Sequence, residues 1–143
     1  MSNWIRSLNV VENVAFPLIT GGVKEKEAIS RAHHILDEIG IDNLSKQVPT
    51  QLSGGEQQKA GIARALVSNP WILLADEPTG NLDTTSGDEI LNIFNQLNIK
   101  SKRTIMMVTH NGAYWDCGNR RLGMRNGEII QDTSKLSLVK KNG

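Results

Sequence analysis

The feature that most constrains this chain is an apolar run, Trp71-Ile72-Leu73-Leu74-Ala75, ending in two carboxylates, Asp76 and Glu77, with Pro70 and Pro78 on its flanks. Such a run without polar alternation reads as a strand buried on both faces, as in a parallel sheet. A second run of this kind, TIMMV from Thr104 to Val108, lies downstream. Between them, roughly Thr85 to Leu97, Ile90, Ile93, Phe94 and Leu97 recur on one side of a helix. Strand, helix, strand is a βαβ unit, so the two strands are expected to be parallel with a right-handed crossover. The expected fold class is α/β.

Upstream of the first strand the pattern is helical. Val10 to Ile19 reads as a short helix or turn ended by Pro17, because the residue before a proline avoids the α region. Lys24 to Ile39 carries Ala28, Ala32, Ile35, Leu36 and Ile39 on one stripe, and Gly40 suits a left-handed C-terminal cap. Ile41 to Pro49 reads as a connector. A further helix begins near Ser53, where Ser53 and Glu56 have capping-box spacing, and stops at Asn69-Pro70. Beyond the strands, Asn126-Gly127 between two extended runs predicts a β-hairpin. The tail, residues 133–143, is polar and expected to fray. The chain therefore divides at the sequence level into a helical part, residues 1–69, and a strand-bearing part, residues 70–143.

Charge and composition remove several function classes. Sixteen Lys plus Arg against fifteen Asp plus Glu leave +1, so no overall basic field is available for nucleic acid. The longest apolar run is five residues, against about 20 needed to cross a bilayer. One cysteine, Cys117, builds neither a disulfide framework nor a metal cluster. No apolar signal core follows the N-terminal charges, so a cytoplasmic chain is expected.

Four short stretches carry the chemistry. In Leu52-Ser53-Gly54-Gly55-Glu56-Gln57, a capping serine and a glycine pair open a helix. Glycine lets a ligand approach the backbone, and the first helical turn offers unpaired N–H groups at the positive end of the dipole. Together these suit a phosphate, although a plain capping box is the simpler reading of the same residues. Asp76, at the C-terminal edge of a parallel strand, suits Mg²⁺ through water. Glu77 beside it suits orientation or activation of an attacking water; the bland alternative is a solvated acidic turn. Gly80-Asn81-Leu82-Asp83 alone is a turn. Thr109-His110 ends the second strand, where an imidazole suits contact with a terminal phosphate or a developing charge.

With these residues assembled, the chain resembles the ATP-binding subunit of an ABC transporter. Leu52 to Leu66, LSGGEQQKAGIARAL, is similar to the family signature segment, and Ile72 to Pro78, ILLADEP, to its Walker B strand with the following glutamate. Asn81 to Asp83 resembles the D-loop, and Val108 to His110 the switch histidine. VVENVAFPL and DEPTGNLD also look like the subgroup serving lipoprotein release, macrolide export and division-associated systems. The resemblance implies a P-loop NTPase (RecA-like) core, here partial, with a helical subdomain and a C-terminal β-hairpin. It implies that Ser53, Gly54, Gly55 and Glu56 form a site for the γ-phosphate of ATP held by a second subunit, in a head-to-tail dimer. It implies Asp76 for Mg²⁺, Glu77 as the catalytic carboxylate, Asp83 as a contact with the partner, and His110 as the γ-phosphate sensor. Membrane-spanning permease subunits would be the further partners, placing the chain on the inner face of the cell membrane.

The sequence departs from the family pattern in several places. No G-x-x-x-x-G-K-[ST] phosphate cradle occurs in the 143 residues; Gly21-Gly22-Val23-Lys24 has the wrong spacing and lacks the hydroxyl. The expected upstream glutamine loop and adenine-stacking aromatic are absent as well. The expectation is a truncated or split motor, weak or inactive in ATP hydrolysis by itself, with apolar surface exposed beside its strands. Lys59 and Asn111 replace the usual Arg and Asp, and Gly61 interrupts the signature helix at a cost of about 1 kcal/mol relative to Ala. Two other classes stay open: a non-hydrolysing remnant or binding module docking on an intact ATPase, and a DNA-repair or chromosome ATPase. The second would want heptads or a cysteine cluster, which the sequence lacks.

Overall fold

The structure, a computed structural model, describes residues 4–133. Its elements run α1 (Val10–Thr20), α2 (Glu25–Ile39), α3 (Gly54–Leu66), β1 (Ile72–Asp76), α4 (Thr84–Ile99), β2 (Thr104–Val108), β3 (Leu122–Arg125) and β4 (Glu128–Asp132). Two compact units emerge, residues 1–108 and 109–143. The first holds α1 to β2. The second holds a short 3-10 turn, Gly112–Cys117, and the hairpin.

In the first unit α1, α2 and α3 pack on one another around Val10, Val14, Ala15, Ala28, Ala32, Leu36, Ala60 and Ala63, all fully buried. Alanine at several of these positions lets the helices approach closely. The stripe expected on α2 is the buried stripe, apart from half-buried Ile35, and Gly40 closes the helix at φ 82° in the left-handed region. Helix α1 runs through Pro17 to Thr20, so the expected stop at Pro17 is overturned. A proline removes only its own N–H from the ladder. The last turn is closed by the Thr20 hydroxyl, which donates to the Phe16 and Pro17 carbonyls, and by Gly21 N–H donating to Pro17 O at 3.1 Å. Burial of Leu18 anchors that turn on the core. A capping box, Asn9 with Glu12, opens the same helix.

Strands β1 and β2 pair in parallel, with Ile72 opposite Thr104 and Asp76 opposite Val108. One face joins the core with Ile90, Phe94 and Leu97 of α4 through Leu73 and Ala75. The other is bare: Ile72, Leu74, Met106 and Val108 are 58, 72, 61 and 57% exposed. The expectation of burial on both faces is therefore corrected. Continuous apolarity reports what both faces can bury, whereas the described residues cover only one. The expected exposed apolar surface beside the strands is this face. In the second unit β3 and β4 are antiparallel around Asn126 (φ 51°) and Gly127 (φ 81°), the pair of positive φ values a tight hairpin turn requires. The tail expected to fray lies outside the described residues, Thr133 excepted. Among the described residues no helix is long and apolar enough to cross a membrane.

Candidate phosphate-facing site

The glycine-rich turn is open to solvent at Ser53 and Gly54. Ser53 is the N-cap of α3, and both halves of the capping box form. Glu56 N–H donates to Ser53 Oγ at 3.3 Å, and Ser53 N–H donates to Glu56 Oε2 at 2.8 Å. The Ser53 hydroxyl also donates to Glu56 Oε2, at 2.8 Å. These Ser53 bonds hold the Glu56 carboxyl below the usual carboxylate range. Glu56 is thereby tied back to the cap as an anion.

Two contacts fix where this turn lies. A Cβ on Gly55 would come within 3.0 Å of Ser86 Oγ, and one on Gly54 within 3.4 Å of Leu82 Cδ2. Gly55 thus makes room for the close approach of the α4 N-terminus, and Gly54 touches the turn containing Asp83. Asp83 in turn is the N-cap of α4: its Oδ1 accepts from Ser86 N–H at 3.0 Å, and its Oδ2 from the Ser86 hydroxyl at 2.7 Å. Those bonds hold the Asp83 carboxyl below its ordinary range. Lys59 of α3 pairs with Glu89 of α4 at 2.7 Å, one turn further along each helix. Two capped helix N-termini therefore sit side by side, and Ser53, Gly54, Gly55, Glu56 and Asp83 form one neighbourhood. Ser86, which the sequence reading passed over, is the residue that joins them. Its signal was available, because Asp83 stands three residues before it in the spacing of an N-cap.

Asp76 is the last residue of β1, and Glu77 follows it. Asp76 is exposed and lines a cavity of about 210 Å³ with Gln58, Gly61 and Arg64 of α3 and Pro78. Gly61, a weak point for helix propensity, thus faces this cavity. Glu77 is half-buried and sits at φ 45°, a left-handed conformation that is uncommon without glycine and often found at functional sites. Its N–H donates to Val108 O at 2.9 Å, and its carboxylate lies over the backbone of Gly80, where an added Cβ would stand 3.5 Å from Oε2. Among the described residues no three His, Cys, Asp or Glu side chains gather closely enough to hold a metal by themselves. One exposed carboxylate suits Mg²⁺ of the kind that keeps its waters and shares substrate phosphates, and does not suit an all-protein cage. His110 is exposed, two residues past β2, and belongs to the second unit. Asn111 beside it accepts from Ala113 N–H at 3.0 Å and caps the 3-10 turn.

The described geometry has the signature turn exposed and packed on the turn that follows the carboxylate-tipped strand. The sequence matches the ABC transporter family over residues 2–80, more than half of its length. This chain belongs to the ABC transporter family. It is 44% identical to the macrolide export ATP-binding/permease protein MacB of Mannheimia succiniciproducens, over 93% of this chain and 20% of that protein. It is 41% identical to the lipoprotein-releasing system ATP-binding protein LolD of Syntrophus aciditrophicus, over 90% of this chain and 57% of that one. Among solved structures it superposes with TM-score 0.77 at 36% identity on the ATP-binding cassette MJ0796, dimeric and bound to ADP and Pi, covering 91% of this chain and 58% of the cassette. The mixed α/β fold with parallel strands is that of ABC cassettes. The chain spans a fifth of the first of these ABC relatives and a little over half of the other two.

Proposed function

We propose that this chain contributes the signature and Walker B portion of an ATP-hydrolysing ABC transporter subunit of the exporter type. In this reading the Ser53-Gly54-Gly55 turn receives the γ-phosphate of ATP held by a second, head-to-tail subunit, with Asp83 at the same contact. Asp76 would hold Mg²⁺ through water, and Glu77 would orient the attacking water and take its proton at the site that a phosphate cradle completes. His110 contacts the departing phosphate. The helical part, residues 1–69, supplies the signature helix, and the strand-bearing part, residues 70–143, supplies the Walker B strand, the D-loop and the switch histidine. Permease subunits couple the cycle to transport from the cytoplasmic face of the membrane.

The observation that carries this reading is the close packing of Gly54 and Gly55 on Leu82 and Ser86, which leaves Ser53 and Gly54 open outward. A signature turn buried inward would have been useless to a second subunit. Since the 143 residues contain no G-x-x-x-x-G-K-[ST], the phosphate cradle must come from elsewhere. In this reading the 143 residues by themselves are weak in ATP hydrolysis. The test is MgATP-dependent association of the chain with a full-length lipoprotein-releasing-type ATP-binding subunit whose own catalytic glutamate is changed to glutamine. Association should require nucleotide and vanish with Ser53→Arg. Association indifferent to both would sink the reading. MgATP turnover by the chain alone, abolished by Glu77→Gln, would overturn the part about its weakness.

A further inference from the structure

The segment ahead of α1 makes contacts that no step above uses. Trp4 Nε1–H donates to Gln57 Oε1 at 3.3 Å, and Gln57 Nε2–H donates to Leu52 O at 3.1 Å. The Gln57 amide thus bridges the indole to the carbonyl one residue before Ser53. The same indole carries the Arg64 guanidinium over its face, 4.6 Å from the ring centroid. Gln57 and Arg64 are seven residues apart, two turns along one face of α3, so the ring lies along the signature helix and grips it at two points. Arg64 also lines the cavity that Asp76 lines. Burial lowers the Arg64 pKa, consistent with a guanidinium packed against a ring.

Trp4 is itself held from the other side. Fully buried Asn13 of α1 accepts from Ile5 N–H at 2.9 Å and donates from Nδ2 to the carbonyls of Ile5, Leu8 and Asn9 at 3.1, 2.9 and 2.9 Å. One buried amide thereby fixes the path of residues 5–9. A buried amide with every group bonded holds its segment to one conformation. The sequence connection is continuous, from Asn13 through residues 5–9 to the Trp4 ring, then through Gln57 to Leu52 and the turn at Ser53.

From this geometry we propose that Trp4 is a positioning residue for the phosphate-facing turn. It sets the orientation of Ser53-Gly54-Gly55 through Gln57 and Arg64, and it passes any displacement of the segment before α1 to that turn. The inference rests on the reading of the turn as the γ-phosphate contact. Its structural half, the order of the turn, is testable without nucleotide.

Two measurements on the full 143-residue chain decide it. The first is amide hydrogen exchange by NMR. Trp4→Ala should speed exchange at Glu56 and Gln57 by about tenfold while leaving Leu36 of α2 unchanged, a local opening and not a global one. Trp4→Phe, which keeps a ring for Arg64 but loses the N–H, should fall between. Unchanged exchange at Glu56 and Gln57, or equal acceleration throughout, overturns the proposal; equal acceleration marks a merely structural residue. The second is the nucleotide-dependent association described above. Trp4→Phe and Gln57→Leu should each weaken it by several-fold, and the double variant by no more than the worse single, because both break the Trp4–Gln57 bond and Gln57→Leu alone also loses the bond to Leu52 O. Strict additivity overturns the shared route. If Ser53→Arg leaves association intact, the γ-phosphate reading fails while the exchange result stands. If Ser53→Arg abolishes association and Trp4→Ala matches the unaltered chain, the positioning role fails and the γ-phosphate reading stands.

Discussion

The helical bundle and the two-stranded sheet belong to the same unit, yet they are finished to different degrees. In the bundle, α1, α2 and α3 bury Val10, Val14, Leu36 and their alanine neighbours completely, and the first turns of α1 and α3 are closed by capping boxes. In the sheet, one face joins that core while Leu74 and Met106 stand open on the other. The bundle caps the Ser53 turn with its own residues, and Leu82 and Ser86 pack on the glycines of that turn. The sheet holds Asp76 and Glu77 from one side only.

That contrast is sharpest in core deletions. Leu36→Ala should cost about 2–5 kcal/mol in urea unfolding, since it empties a fully packed site. Leu74→Ala should cost less than about 0.5 kcal/mol, because its side chain is already in water. Equal losses would erase the distinction. Next comes the junction between bundle and βαβ unit. Gly55→Ala should cost about 1–3 kcal/mol, because the new Cβ meets a Ser86 side chain already bonded to Asp83. Gly54→Ala, with only ordinary contact to Leu82, should lower the unfolding midpoint less.

Acid should weaken the caps. The folded-state pKa of Glu56 lies below its unfolded value. Its contribution is therefore present above the ordinary carboxylate range and disappears as pH falls through the depressed folded value. Glu56→Gln keeps the capping geometry without the charge. The difference in urea midpoint between the two proteins should shrink between pH 7 and about pH 3. A constant difference would show that the Ser53–Glu56 bonds do not favour the anion. The smallest effect on stability belongs to the open face. Leu74→Lys with Met106→Lys should leave the unfolding free energy within about 0.5 kcal/mol while reducing self-association by sedimentation. A large loss of stability would mean that the face is covered in solution.

Much of this was legible in the residues, and the misses have physical causes. The second parallel strand, the left-handed cap at Gly40, the capping box at Ser53 and the Asn126-Gly127 turn each follow from local chemistry. Local chemistry does not say what lies against a strand, so burial of both faces of β1 was over-read. It also over-weighted Pro17, whose lost N–H is one bond in a helix anchored by buried Leu18. At the site, residue types gave Ser53, Gly54 and Gly55, but the reason for Gly55 is Ser86, thirty-one positions away. Trp4 carries no signal in the sequence, because its partners Gln57 and Arg64 come close only after folding.

The left-handed turn at Glu77 has one more consequence. Its amide is tethered to the last carbonyl of β2, so its carboxylate is aimed partly by a strand other than its own. Asp76 stands opposite Val108, the residue that supplies that carbonyl, so a slip of β2 would move both acids. The aim of the neighbouring acids is thus set jointly by the register of two strands, not by β1 alone.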